Sequence, residues 1–157
     1  MRIALGCDHA GFGLKGQVMV LIRALGHEVE DCGCYTAEAV DFPDIAQAVC
    51  QRVRRGQADR AVLVCGTGVG ACIAANKVPG IRSAVCHDVH SAHQAVEHDD
   101  VNVMCLGAQI VGAWLAGDLL AAFLGAHFST EETLRRRVAK LREMELAAAR
   151  ELLRETH

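Results

Sequence analysis

The sequence predicts a three-layer α/β/α sandwich, in which a five-stranded parallel sheet is covered by helices on both faces and followed by one long C-terminal helix. Three observations predict it. Five strand-like runs alternate with stretches of helical periodicity, making five β-α units. The connections between them are short, as successive β-α units require. Most of the runs are apolar almost throughout rather than alternating, which is the pattern of strands buried on both faces.

Taken in order, residues 2–7 read as a strand, 14–25 as an amphipathic helix stopped by Gly26, and 27–32 as a second strand. Residues 45–53 repeat apolar side chains at helical spacing, 61–65 form a short apolar strand, and 71–76 begin a helix after a glycine loop. Strand, helix, strand and helix follow at 82–86, 91–96, 101–106 and 113–124. The tail differs in kind. Thr130-Glu131-Glu132-Thr133 resembles an acidic helix start, and residues 134–154 contain no Gly or Pro, so a final helix of about 24 residues is expected. Such a helix spans roughly 36 Å, about the width of the domain, and packing on a partner subunit is expected for residues 130–157. A helix lying across its own sheet is the alternative.

A chain of 157 residues, 52% hydrophobic and 22% charged, suits one globular domain over residues 1–157. Its 16 basic and 19 acidic residues leave a net charge of -3, which argues against nucleic acid or an anionic membrane as partner. The N-terminal apolar run is broken at Asp8, too early for a signal peptide or a span, and a cytoplasmic location is expected. Most of the eight cysteines end or interrupt apolar runs, as buried thiols do, rather than forming a disulfide framework.

The chemistry concentrates at Gly66-Thr67-Gly68-Val69-Gly70. A glycine-rich turn between strand and helix aims several backbone N–H groups at one point and favours negative charge there. It is no Walker A loop, because no Lys-Ser or Lys-Thr pair follows, and it lacks the dinucleotide spacing. Gly6-Cys7-Asp8-His9-Ala10-Gly11, after the first strand, offers a carboxylate where a pyrophosphate would be repelled. Cys65 at the start of the glycine loop sets it apart from a plain anion nest, since the same N–H groups would stabilise a thiolate able to act as base or nucleophile. A buried core thiol is the plain alternative. Asp8-His9 ends the first strand and Cys65 the third, so a parallel sheet brings them to one edge. His98-Asp99-Asp100 precedes the fifth strand, and reaches that edge only from a neighbouring subunit or a bent helix. A site shared in a dimer is the expectation.

Gly6-Cys7-Asp8-His9-Ala10-Gly11, Cys65-Gly66-Thr67-Gly68-Val69-Gly70, Ala74-Ala75-Asn76-Lys77, Gly80-Ile81-Arg82 and His98-x-x-x-Asn102-Val103 together resemble the ribose-5-phosphate isomerase B and galactose-6-phosphate isomerase family over roughly residues 1–145. The resemblance implies a Rossmann-like α/β/α sandwich that works as a homodimer or tetramer. It also implies interconversion of aldose and ketose phosphates with no metal and no coenzyme. By that similarity Cys65 moves a proton between C1 and C2. Thr67 and the N–H groups of Gly66, Gly68, Val69 and Gly70 hold the enediolate oxygen. His98, with Asp8, assists ring opening, while His9 and arginines of the partner chain hold the phosphate. Arg137 is the best match to that clamp, with Arg136 or Arg135 beside it.

The match is uneven around the phosphate. Asp99 stands where the family usually has Asn, Gln109 where ribose-specific members commonly carry Arg, and a Gly-Gly-Arg-His run expected near residues 131–133 is missing. Fewer guanidinium donors and an added carboxylate weaken dianion binding unless other groups compensate. Residues 76–84 and the Thr-Glu-Glu tail look more like the galactose-6-phosphate branch. These departures keep a hexose or tetrose phosphate, or a partner-dependent non-catalytic subunit of a mixed isomerase, as alternatives to ribose 5-phosphate, which is still the first expectation from the resemblance. His87, His90, His93 and His98 with Asp88 form a weaker metal-site reading, because His90 and His93 share a helical face but no acidic or cysteine ligand has a firm spacing. Arg52, Arg54 and Arg55 read as a solvated helix end.

Overall fold

The computed structural model describes residues 1–155; Thr156 and His157, the end of the expected final helix, lie outside the described residues. The order is β1 (Arg2–Cys7), α1 (Phe12–Ala24), β2 (Glu28–Asp31), α2 (Phe42–Arg54), β3 (Arg60–Cys65), α3 (Val69–Ala75), β4 (Ser83–Val85), α4 (Val89–Asp99), β5 (Val103–Gly107), α5 (Ala113–Gly125) and α6 (Glu132–Glu155). Every expected element is present. The differences lie at the ends: α2 starts at Phe42, with Pro43 in its first turn, where the missing N–H has no helical partner to lose.

The five strands are all parallel, in the order β2-β1-β3-β5-β4. Because side chains alternate along a strand, each strand feeds two cores. On one face Ile3, Leu5, Val62, Val64, Met104 and Leu106 pack with Val18 and Ile22 of α1, Val96 of α4 and Phe123 of α5. On the other, Ala4, Leu63, Cys65 and Cys105 pack with Val49 and Cys50 of α2 and Ala71 and Ala75 of α3. Helices on both faces of an all-parallel sheet make the three-layer sandwich.

The chain leaves β1 towards β2 on one side and returns to β3 on the other. The carboxyl ends of β1 and β3 therefore flank the point where the winding changes direction, which is where sheets of this kind leave a crevice. Gly11 closes the base of that crevice. A Cβ there would lie 2.0 Å from the carbonyl oxygen of Val64, so only glycine lets the β1–α1 loop lie against β3.

The last helix, 24 residues long, packs against α4 and buries only Leu134. It is pinned midway, where the Glu145 carboxylate accepts the Gly80 N–H at 2.9 and 3.1 Å. Leu141, Met144 and Leu146 are exposed. No helix among the described residues is long and apolar enough to cross a membrane.

Candidate active site at the β1 and β3 carboxyl ends

Register places the first part of the site. Cys7 of β1 pairs with Val64 of β3, which sets Asp8 beside Cys65, and Cys65 pairs in turn with Gly107 of β5. The Asp8 N–H donates to the Val64 carbonyl at 3.2 Å, so the chain is still held to β3 where the carboxylate emerges. The Cys65 thiol donates to Asp8 Oδ2 at 2.8 Å, while Asp8 Oδ1 accepts the Gly11 N–H at 2.9 Å. Both side chains are buried, with Asp8 6% and Cys65 9% exposed. A carboxylate in that position is satisfied by two donors, and one of them is an acid.

The glycine loop wraps the sulfur. Gly68 takes the left-handed conformation at φ 82°, and a Cβ on it would press on the Leu106 carbonyl carbon at 3.2 Å, so glycine is required on both counts. The turn brings the backbone N–H groups of Gly66 and Gly68 near enough to Cys65 to favour its thiolate. Thr67 is exposed at the tip, its Oγ1 accepting the Val69 N–H at 3.3 Å. Gly70 lies against the Phe42 ring, which joins the start of α2 to the loop.

The sequence led to a thiolate-favouring site, and here the balance differs. Burial first, then the hydrogen bond and negative charge of Asp8, push the Cys65 thiol above its ordinary value; the Gly68 and Gly66 N–H groups oppose this without overcoming it. Cys65 therefore rests as a thiol with a proton acceptor already in contact.

His9 stands at the exposed mouth, where its Nδ1 accepts the Val40 N–H at 3.3 Å. Its proton is thereby placed on Nε2, the nitrogen left to meet a ligand. Gln109 leans over Gly66: its side-chain oxygen lies 3.3 Å from where a Gly66 Cβ would be, and its N–H donates to the Gly66 carbonyl at 3.0 Å.

The remaining expected residues are elsewhere. His98 and Asp99 occupy the last turn of α4 rather than a loop, at the amino edge of the sheet. Eleven residues of helix, about 16 Å, separate them from the carboxyl edge where α4 begins. Arg136 and Arg137 are exposed near the start of α6, and the segment leading into that helix is held to the same end of α4 by the Ser129 N–H on the Glu97 carbonyl at 3.0 Å. One chain thus carries two half-constellations at opposite edges of the sheet. As for the histidine cluster, His93 pairs with Glu97 at 3.2 Å, and among the described residues no group of three or more His, Cys, Asp and Glu is arranged to hold a metal ion.

Two features escaped the sequence reading. Lys15, 5% exposed, reaches both Asp31 oxygens at 2.9 and 2.8 Å and also the Cys34 carbonyl, tying α1 to the β2–α2 segment. A lysine next to Leu14 on the buried face of an amphipathic helix was the available signal. His87, just beyond β4, accepts the Gly107 N–H on Nε2 at 3.0 Å.

Comparison with known proteins agrees with this geometry. Residues 3–141 match the model of the ribose/galactose isomerase family. The chain is 43% identical to ribose-5-phosphate isomerase B of Escherichia coli over 127 residues, covering 81% of this chain and 85% of that protein. It is 40% identical to D-erythrulose-4-phosphate isomerase 2 of Mycolicibacterium smegmatis over 134 residues, covering 83% and 88%. The structure of ribose-5-phosphate isomerase B from Clostridium thermocellum superposes with a TM-score of 0.91 at 41% identity, over 94% of this chain and 99% of that one. A thiol and carboxylate meeting under a glycine loop, on a sheet that superposes so closely and in a sequence this similar, make the chain a member of the ribose/galactose isomerase family.

Proposed function

We propose that the chain, acting as a single domain over its whole length, interconverts ribose 5-phosphate and ribulose 5-phosphate by cysteine-based proton transfer through an enediolate. The observation that carries this reading is the 2.8 Å contact between the Cys65 thiol and the Asp8 carboxylate beneath the glycine loop. Moving a proton between adjacent carbons needs a base, a place for its own proton, and fixed donors where negative charge develops. These groups supply all three. Asp8 takes the thiol proton, leaving a thiolate held by the N–H groups of Gly66 and Gly68. That sulfur withdraws the proton beside the substrate carbonyl, and the bonding electrons move to the carbonyl oxygen, which Thr67, Val69 and Gly70 receive. Asp8 passes its proton to that oxygen and takes the hydroxyl proton of the adjacent carbon. The thiol returns its proton to the former carbonyl carbon as the new carbonyl forms, and Asp8 then reprotonates the sulfur. No metal or coenzyme is needed in this scheme.

The two half-constellations call for a homodimer, or a tetramer built from such dimers. A two-fold axis that brings α4 and the start of α6 of one copy to the carboxyl edge of the other completes two equivalent sites at once. His98 of the partner subunit then assists ring opening, and Arg137 and Arg136 of the partner subunit join His9 on the phosphate, with Asp99 beside them. The exposed Leu141, Met144 and Leu146 support burial of the last helix between copies. A cytoplasmic location is part of the same proposal, in keeping with a sugar-phosphate substrate.

Steady-state kinetics over tetrose, pentose and hexose phosphates test the substrate. Ribose 5-phosphate is expected to show the highest kcat/KM, and a higher value for a hexose or tetrose phosphate would reassign it. The uneven phosphate clamp favours keeping those two classes in the panel. Turnover by the purified chain alone also separates a complete enzyme from a partner-dependent subunit.

A further inference from the structure

The Gly107 amide lies between the catalytic loop and His87. β4 ends at Val85, and the last main-chain bond of its pairing with β5 runs from the Cys86 N–H to the Cys105 carbonyl at 3.2 Å. One step further along β5, the Gly107 N–H has no strand beside it. His87 Nε2 takes the vacant acceptor place at 3.0 Å, so the imidazole stands in for the next carbonyl of the departing strand. An acceptor nitrogen carries no proton, which puts the ring proton on Nδ1.

Gly107 bears directly on the loop that holds the reacting oxygen. It pairs with Cys65 across the sheet, and a Cβ on it would lie 2.8 Å from the carbonyl carbon and oxygen of Thr67, so the Thr67 peptide rests on the Gly107 backbone. The next two residues are clamped to the same loop, Ala108 N–H on the Cys65 carbonyl at 2.8 Å and Gln109 N–H on the Gly66 carbonyl at 3.0 Å. A buried Gly107 N–H without an acceptor would turn towards water or another carbonyl, carrying this platform with it.

We propose that His87 is a positioning residue of the isomerase, acting through Gly107 to hold the Cys65 to Gly70 loop at the height where its donors meet the developing enediolate oxygen. The inference rests on the isomerase reading of that loop. It places a determinant of rate just beyond β4, a strand that contributes no group to the reaction itself. Since the loop's donors act on charge that appears only in the transition state, disturbing their support lowers kcat and leaves KM nearly unchanged.

Three variants test it in the full-length protein, with ribose 5-phosphate as substrate. His87→Gln can place an amide oxygen near the position of Nε2, His87→Asn is too short to do so, and His87→Leu offers no acceptor. The expected result is a kcat within about threefold of wild type for Gln and a loss of roughly ten- to a hundredfold for Asn and Leu, with KM changed by less than about threefold throughout. Hydrogen exchange at the Gly107 amide should be slow in wild type and the Gln variant and fast in the other two. Where the Leu variant fails to fold, the Gln and Asn pair decides, since both are polar and similar in size. Equal kcat in Gln and Asn, or wild-type kcat in Leu, would overturn the proposal. A wild-type protein without turnover on any sugar phosphate would instead overturn the isomerase reading, and this inference with it.

Discussion

Cys65→Ala will lower kcat on ribose 5-phosphate by about three orders of magnitude or more and leave the fold intact. A positioned base contributes typically 10²- to 10⁴-fold, and no other thiol lies under the glycine loop to replace it. Deleting one buried sulfur costs on the order of 1 kcal/mol of stability, which a thermal melt will separate from the kinetic loss. Cys32→Ala and Cys34→Ala serve as controls. Cys32 donates to the Glu30 carbonyl at 3.8 Å and Cys34 to the Thr36 carbonyl at 3.1 Å, both away from the loop, so their variants should retain nearly full activity. Comparable losses in all three would make Cys65 a structural thiol. The direction of its titration gives a further readout. Burial and Asp8 hold the thiol above its ordinary value, so alkylation of Cys65 in the resting enzyme should be slow at neutral pH and rise as the pH climbs.

Arg137→Ala should raise KM for a sugar phosphate tenfold to a hundredfold. The range follows from a charge-assisted contact to phosphate, worth roughly 1.5 to 3 kcal/mol. The arginine is exposed in one chain and far from Cys65 along the fold, so an effect of this size also requires that a second copy bring it to the site. Truncation before Thr130 should do more, raising KM and weakening the dimer together, because it removes the arginines and the exposed apolar side chains of α6 at once. The point variant should leave the dimer whole. Turnover of unphosphorylated ribose, which has no anion for the guanidinium, should be indifferent to the substitution. Unchanged kinetics on every sugar phosphate would remove both the phosphate clamp and the shared site.

The fold was legible because its strands, apart from the polar β2, are nearly pure apolar runs and its helices are bounded by glycine or acidic starts. Errors of a few residues fell where main-chain pairing, not composition, sets the boundary: β4 shrank to three residues because the chain turns away to bring His87 onto Gly107. The convergence of Asp8 and Cys65 was legible too, since any parallel sheet with β1 beside β3 produces it. The protonation of Cys65 was not. Sequence shows the loop that favours a thiolate, but the opposing effects, burial and a carboxylate 2.8 Å away, exist only once strand register is set. Positions such as Lys15 and His87 were hidden for a related reason, as each bonds main-chain groups brought near by folding and leaves no spacing pattern in the chain.

Solvent deuterium in the product tests the proton-transfer account most directly. Ribulose 5-phosphate converted in deuterated water by the wild-type enzyme should give ribose 5-phosphate carrying deuterium at C2 in those turnovers where the Cys65 thiol exchanges with solvent before it returns its proton. Cys65→Ser should give neither product nor deuterium at a comparable rate. An undiminished rate of conversion or of deuterium incorporation in Cys65→Ser would contradict proton transfer by Cys65.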